Sequence, residues 1–234
     1  MRRSRPRPWL RLEFDRRQRR RTRVSSDEPK SDPSSVWEDA YAGGDADRSW
    51  TQLEPVDSLK AIAVALPEPA DPVIDVGGGA STLAGRLLAD GFSDITVLDL
   101  SSSALQLAQR RLGKSAERIV WVQGDLLDSV PEREYGFWHD RAVLHFFTDP
   151  VQRSRYAELL ARRVRPGGHA AISTFAPDGP DRCSGLPVRR SSHEDLENLL
   201  GDAFENVATW TTSHQTPRGT PQPFNWIVAR RRTN

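Results

Sequence analysis

Three carboxylates follow short apolar runs at regular intervals. Asp75 lies within Val73-Ile74-Asp75-Val76, Asp99 follows Ile95–Leu98, and Asp125 stands in Gly124-Asp125-Leu126. Asp75 leads directly into Gly77-Gly78-Gly79-Ala80-Ser81. Glycines there let the backbone turn tightly and approach a ligand closely. Dinucleotide-binding turns are glycine-rich too. Their third glycine, counted from Gly77, would fall at position 82, which is Thr82. Asp75 would also crowd a pyrophosphate, whereas it suits a ligand with a cationic amino-acid end. A carboxylate at Asp99 can accept both hydroxyls of a ribose. One at Asp125 can accept the amino group of an adenine, with Leu100 and Leu126 flanking the ring. Each acid taken alone reads equally well as a helix cap or a solvated loop. Their recurrence at consecutive strand ends is what points to one ligand.

The elements that must position these groups alternate. Strands are predicted at 73–76, 95–98, 118–122, 135–140 and 169–175, and helices at 81–90, 102–112, 151–164 and 192–200. Gly91 suits a helix C-terminus. Ser192 followed by Asp195 forms a weak capping box. Arg165-Pro166-Gly167-Gly168 should break the chain sharply after the fourth helix. Strand–helix alternation implies a parallel sheet with helices on both faces. The late strands 204–212 and 224–230 have no helix between them and should form an antiparallel hairpin at one edge.

Composition sets outer limits. Residues 1–23 hold eleven Arg against Glu13 and Asp15, a balance of +9, so the remainder carries −8 of the net +1. Residues 1–35 read as a basic, disordered tail and 36–234 as the folded domain. The plain reading of the tail is a solvated extension; the sharper one is contact with nucleic acid or anionic lipid, which would be salt-dependent. The sequence holds no apolar run of about 18 residues, so no membrane span is expected. Cys183 is the only cysteine, which fits a reducing, cytoplasmic setting and excludes a thiolate metal site. His193 and His214 are too far apart to suggest a metal motif, and no metal is expected.

The segments around Asp75, Asp99 and Asp125 resemble the motifs of class I S-adenosylmethionine (SAM) dependent methyltransferases, over roughly residues 36–231. The resemblance implies a Rossmann-like α/β fold, a seven-stranded sheet that is mostly parallel with an antiparallel last strand. It also implies a SAM site built from Asp75, Gly77, Gly78, Gly79, Ser81, Asp99, Leu100, Asp125, Leu126 and His139. SAM carries a sulfonium and an ammonium and no phosphate, in keeping with Asp75. The pair Trp138-His139-Asp140-Arg141-Ala142-Val143 and Cys183-Ser184-Gly185-Leu186-Pro187 resembles a bacterial branch of this superfamily. Asp140-Arg141-Ala142 is also similar to thiopurine-type and methyltransferase-like enzymes, whose N-terminal lid the aromatic segment from Trp37 to Trp50 resembles.

Methyl transfer from a sulfonium is an in-line displacement, so holding acceptor and methyl in line is the main requirement. A base is needed only if the acceptor must lose a proton. Asp140 and His145 are the candidate catalytic residues, although a packed histidine is the plainer reading of His145. Trp50, Arg141 and Cys183 are the candidate acceptor contacts; Asp140–Arg141 reads equally as a structural ion pair and Cys183 as an apolar filler. No Pro-Pro-aromatic run follows the fourth strand, which disfavours methylation of base amines. The expected activity is methyl transfer from SAM to a small-molecule thiol, amine or carboxylate. The alternatives are a protein lysine methyltransferase, a nicotinamide-dependent oxidoreductase, and a non-catalytic SAM- or nucleic-acid-binding protein.

Overall fold

The computed structural model describes residues 33–43, 48–217 and 219–233; the expectations for the Arg-rich segment up to position 32 lie outside the described residues. Two helices come first, α1 (Pro33–Tyr41) and α2 (Val56–Ala65). Alternation then begins with β1 (Val73–Val76), α3 (Leu83–Ala89), β2 (Ile95–Asp99), α4 (Ser102–Leu112), β3 (Ile119–Gln123), the short α5 (Leu126–Ser129) and β4 (Tyr135–Arg141). It continues with α6 (Pro150–Arg163) and β5 (Val164–Phe175). A two-residue-per-strand hairpin, β6 (Arg182–Cys183) and β7 (Leu186–Pro187), precedes α7 (His193–Leu200), and β8 (Phe204–Gln215) and β9 (Pro221–Arg231) complete the order.

The main sheet has seven strands in the order β3-β2-β1-β4-β5-β9-β8. β1 through β5 pair in parallel, and β9 runs antiparallel to both β5 and β8. The last strand is therefore the reversed one, and it enters between β5 and the edge. This burial matches its run Phe224–Ala229, apolar but for Asn225.

Strand periodicity divides the core in two. Ile74, Val76, Trp138 and Ile172 pack on one face against Tyr156, Leu160 and Leu196 of α6 and α7. Val73, Val97, Phe137 and Ala171 face the other way, against Ala61, Leu83, Leu87 and Leu105. Two helices are fixed by their own ends. Ser192 Oγ accepts from the Asp195 amide while the Asp195 carboxylate accepts from the Ser192 amide at 2.8 Å, so both halves of the capping box form. Gly91, at φ +93°, follows the end of α3.

One boundary departs from expectation. The Arg165–Gly168 stretch does not separate α6 from its strand, because β5 starts at Val164, immediately after the helix. Tyr135 pairs with Val164 and Phe137 with His169, so the intervening residues are absorbed as a bulge. The chain leaves the helix already in the sheet, and a glycine-containing bulge gives it room to turn.

Candidate active site

The carboxyl ends of β1 to β5 open into a cavity of about 880 Å³. Its floor under one end is the glycine turn. Gly77 and Gly79 have φ of +64° and +44°, a region that L side chains rarely adopt. A Cβ at Gly78 would stand 2.6 Å from Asp75 Oδ2 and 2.7 Å from Val97, and one at Gly79 would stand 2.8 Å from Asp99 Oδ2. Both glycines are thus required by contact, which brings the turn against the two acids. Gly77, Gly78 and Ser81 line the cavity, and Gly79 lies behind the lining. Ser81 Oγ accepts from the Leu83 amide at 3.1 Å, so α3 starts two residues later than expected.

Asp75 lines the cavity yet is only 2 % exposed. Its Oδ1 lies 2.7 Å from His139 Nδ1, and His139 Nε2 lies 3.0 Å from Ser58 Oγ. β1 and β4 are register neighbours, with Asp75 opposite His139, so the pair is set by strand pairing. Both ring nitrogens are engaged, which makes His139 a group that orients Asp75 rather than a free base.

Asp99 ends β2. Its Oδ1 accepts from the Ser101 amide at 2.8 Å. Burial pushes its carboxyl up to about 7; the Ser101 amide opposes this, and the charges of Asp75 and Glu38 add to it. Asp125 lines the cavity and caps α5, accepting from the Leu127 amide at 2.8 Å. Leu100 and Leu126 line the cavity as well. All but one of the expected cofactor residues, Gly79 behind them, therefore face a single space.

Across the sheet toward β4 and β5 the walls become aromatic and apolar. Trp37 stands edge-to-face to Trp50 at 5.5 Å and to Phe146 at 5.2 Å. Trp50 Nε1 donates to Tyr41 Oη at 2.8 Å, and Arg141 Nη2 donates to the Trp50 carbonyl at 2.8 Å. Cys183, Leu186 and Pro187 of the β6–β7 hairpin supply the opposite wall. Burial raises the Cys183 thiol to about 11, so it stays protonated at neutral pH. Ala142, also in the lining, has φ +73°, a strained conformation for a residue with a side chain.

Asp140 and His145, the expected catalytic residues, are placed behind the cavity wall. Neither lines the cavity, and both are fully buried. Asp140 accepts from the amides of Val143 and Leu144 and from Tyr156 Oη. Burial raises its carboxyl to about 6 against those donors. It holds the turn after β4; the proposed ion pair with Arg141 does not form among the described residues. His145 stacks on Phe175 with centroids 4.7 Å apart, and neither ring nitrogen has a partner among the described residues. Burial, aided by the nearby Arg141 charge, lowers it to about 3, so it is neutral. His145→Phe is accordingly expected to leave stability unchanged or raise it by about 1 kcal/mol, since two unsatisfied buried nitrogens are removed. Thermal unfolding checks this, and a loss of several degrees would mean that the imidazole has a partner after all.

One contributor was missed. Glu38 of α1 accepts from the amides of Ser102 and Ser103, at 2.6 and 3.1 Å, and from Ser101 Oγ at 3.2 Å. The hydrogen bonds from Ser103 and Ser102 hold its carboxyl at about 2, although burial opposes them. It caps the N-terminus of α4 and latches α1 beside Asp99. A cap that arrives from a helix more than sixty residues upstream leaves no local signal.

Among the described residues, no group of three or more His, Cys, Asp or Glu is placed to hold a metal ion, and no helix is long and apolar enough to cross a membrane.

Residues 73–168 match a methyltransferase domain family. No curated protein matches the sequence. Among solved structures, the chain resembles one from a study of the conversion of a disulfide bond into a thioacetal group during echinomycin biosynthesis. The TM-score is 0.70 at 20% identity, over 86% of this chain and 92% of that one. Burkholderia thailandensis 1,6-didemethyltoxoflavin-N1-methyltransferase, solved with its substrate and S-adenosylhomocysteine, gives 0.60 at 22% identity, over 76% and 78%. The N-methyltransferase NodS of Bradyrhizobium japonicum WM9 with S-adenosylhomocysteine gives 0.66 at 16% identity, over 86% and 99%. At these identities the likeness is one of fold, and it agrees with the strand order described above. The matched methyltransferase segment, residues 73–168, spans β1 to the start of β5, the strands whose carboxyl ends open into the cavity.

Proposed function

We propose that the protein transfers a methyl group from SAM to a small-molecule thiol, amine or carboxylate. The observation that carries this reading is one continuous cavity joining the acids at the ends of β1, β2 and β3 to an aromatic chamber over β4 and β5. The residues fit the cofactor. The glycine turn gives a close backbone approach beside Asp75, whose charge suits the ammonium end. Asp99 keeps a carboxylate at the end of β2 for the ribose hydroxyls. Asp125 lines the same cavity as Leu100 and Leu126, and its carboxylate suits the adenine amino group. When bound, SAM supplies the electrophilic methyl.

The chain's own residues would then do three things. Asp75, Asp99 and Asp125 hold the cofactor, with His139 orienting Asp75. Trp50, Arg141 and Cys183 stand at the acceptor end, where Trp37, Trp50 and Phe146 wall the chamber. Cys183 is held as a thiol, so it does not compete as a nucleophile. Asp140 and His145 lie outside the cavity and His139 is bonded on both nitrogens, so among the described residues none of the three histidine and aspartate candidates of β4 and its turn is a free base in the site. This favours positioning as the main source of rate, and an acceptor that arrives already ionised or with a free lone pair.

A chamber walled by the chain itself favours a small acceptor over the protein-lysine alternative, which needs an open channel. A second reading, SAM binding without methyl transfer, draws on the fold's appearance in the [4+2]-cyclase SpnF, at a TM-score of 0.63 and 15% identity.

Calorimetry with S-adenosylhomocysteine and, separately, NAD tests the cofactor. Micromolar binding of S-adenosylhomocysteine with none for NAD is expected. Binding of NAD, or of neither ligand by folded protein, would overturn the reading and favour the oxidoreductase or a different ligand.

A further inference from the structure

The guanidinium of Arg141 lies inside the cavity, and among the described residues its one hydrogen bond goes to a backbone carbonyl, that of Trp50. No carboxylate lies within ion-pair distance of it among the described residues. Burial is unfavourable for this charge, as the lowering of its pKa by desolvation records. The charges of Asp75 and Asp57 act on it from beyond ion-pair distance and offset part of this cost; a ligand anion in direct contact would offset more. Its planar fork is suited to bidentate pairing with a carboxylate or a similar oxyanion.

A second polar residue lines the same cavity. It is Gln52, whose Oε1 is buried without a partner among the described residues. Its Nε2 lies 3.4 Å from His214 Nδ1, while His214 Nε2 lies 2.7 Å from the Ser49 carbonyl. The carbonyl requires a proton on His214 Nε2, so Nδ1 accepts and the Gln52 amide group donates to it. That leaves Gln52 Oε1 as an acceptor waiting for an N–H or O–H. Around these two polar groups stand the faces and edges of Trp37, Trp50 and Phe146.

Resting on the methyltransferase reading, we infer that the methyl acceptor is a small aromatic acid: its anionic group pairs with Arg141, a neighbouring N–H or O–H donates to Gln52, and its ring packs among the three aromatic side chains. Arg141 ends β4, one strand over from Asp75 of β1 and two from Asp99 of β2, so it stands nearer the amino-acid and methyl end of the site than the nucleoside end. The other source of an anion is the carboxylate of SAM itself, which the experiment separates.

The experiment has two arms on the full chain. The first measures S-adenosylhomocysteine affinity of wild type, Arg141→Gln and Arg141→Lys. The second titrates each protein, saturated with S-adenosylhomocysteine, with salicylate, anthranilate and indole-3-carboxylate, and with the corresponding neutral amides. Wild type should bind at least one acid tenfold or more tighter than its amide. Arg141→Gln should erase that preference with less than a threefold change in S-adenosylhomocysteine affinity, and Arg141→Lys should restore part of it. Thermal unfolding of each variant reports whether it is folded. Equal binding of acids and amides, or no binding of either, overturns the inference. So does a tenfold loss of S-adenosylhomocysteine affinity in Arg141→Gln, which would give Arg141 to the cofactor carboxylate. Absence of S-adenosylhomocysteine binding by wild type would instead sink the methyltransferase reading from which the inference starts.

Discussion

Asp99→Ala is expected to weaken S-adenosylhomocysteine binding by about a hundredfold. Two hydrogen bonds from ribose hydroxyls to an ionised carboxylate are worth roughly 1.5–3 kcal/mol each, part of which water recovers when the side chain is removed. The wild-type affinity should also depend on pH. Burial holds the free carboxyl at about 7, and the bound nucleoside favours the ionised form because its hydroxyls donate. Affinity is therefore full above pH 7 and is lost as the pH falls through that value, by about tenfold per unit in the limit. Asp99→Ala should bind weakly and without this dependence. Calorimetry from pH 5.5 to 8.5 on both proteins checks the pair of effects. A flat wild-type profile, or an alanine variant that still binds within threefold of wild type, would remove Asp99 from the site. The same shift makes a stability statement of opposite sense. The folded chain holds a proton that the unfolded chain releases above its ordinary 3.8, so this group's contribution to stability falls as pH rises from about 4 to 7.

Asp140→Ala is expected to act on stability. Its carboxylate is the partner of two buried amides and the Tyr156 hydroxyl, at 2.9, 3.2 and 2.8 Å. Removing it strands those donors away from water, at about 1–3 kcal/mol for each that finds no substitute. The cost of burying the charge, visible in the raised carboxyl, offsets part of this. A net loss of about 3 kcal/mol should remain, a fall of roughly 10 °C in thermal midpoint for a chain of this size. Asp140→Asn keeps one acceptor oxygen and should lose less. Unchanged unfolding of Asp140→Ala together with abolished methyl transfer would return Asp140 to the chemistry.

The contrast between Asp99 and Asp140 marks how far local sequence carries. Asp99 was identified because strand ends and turn glycines are local patterns: the apolar run stops, the chain must turn, and a polar residue there faces the open end of the sheet. Asp140 also ends a strand, and only its neighbours distinguish it. The turn folds back, so that Val143 and Leu144 present their amides inward, while Tyr156 arrives from α6. His145 is settled in the same way by Phe175, thirty residues on, which stacks on it and leaves it no water. The expected break at Arg165–Gly168 failed for a related reason, since glycine and proline report a local bend and the pairing of Tyr135 with Val164 decides that the bend is a bulge.

What the sequence by itself determined is the order and type of the elements, the glycine turn and the acids that follow the strand ends. Those follow from hydrophobic periodicity and from the φ values open to glycine, which act over a few residues. Only the tertiary structure decided which polar groups face the cavity. It pairs His139 with Asp75 across adjacent strands, brings Glu38 onto α4, and sets Arg141 against the Trp50 carbonyl. Those relations depend on which segments strand order and helix packing make neighbours, and a residue's chemistry is set by the neighbours that desolvate it or accept its protons.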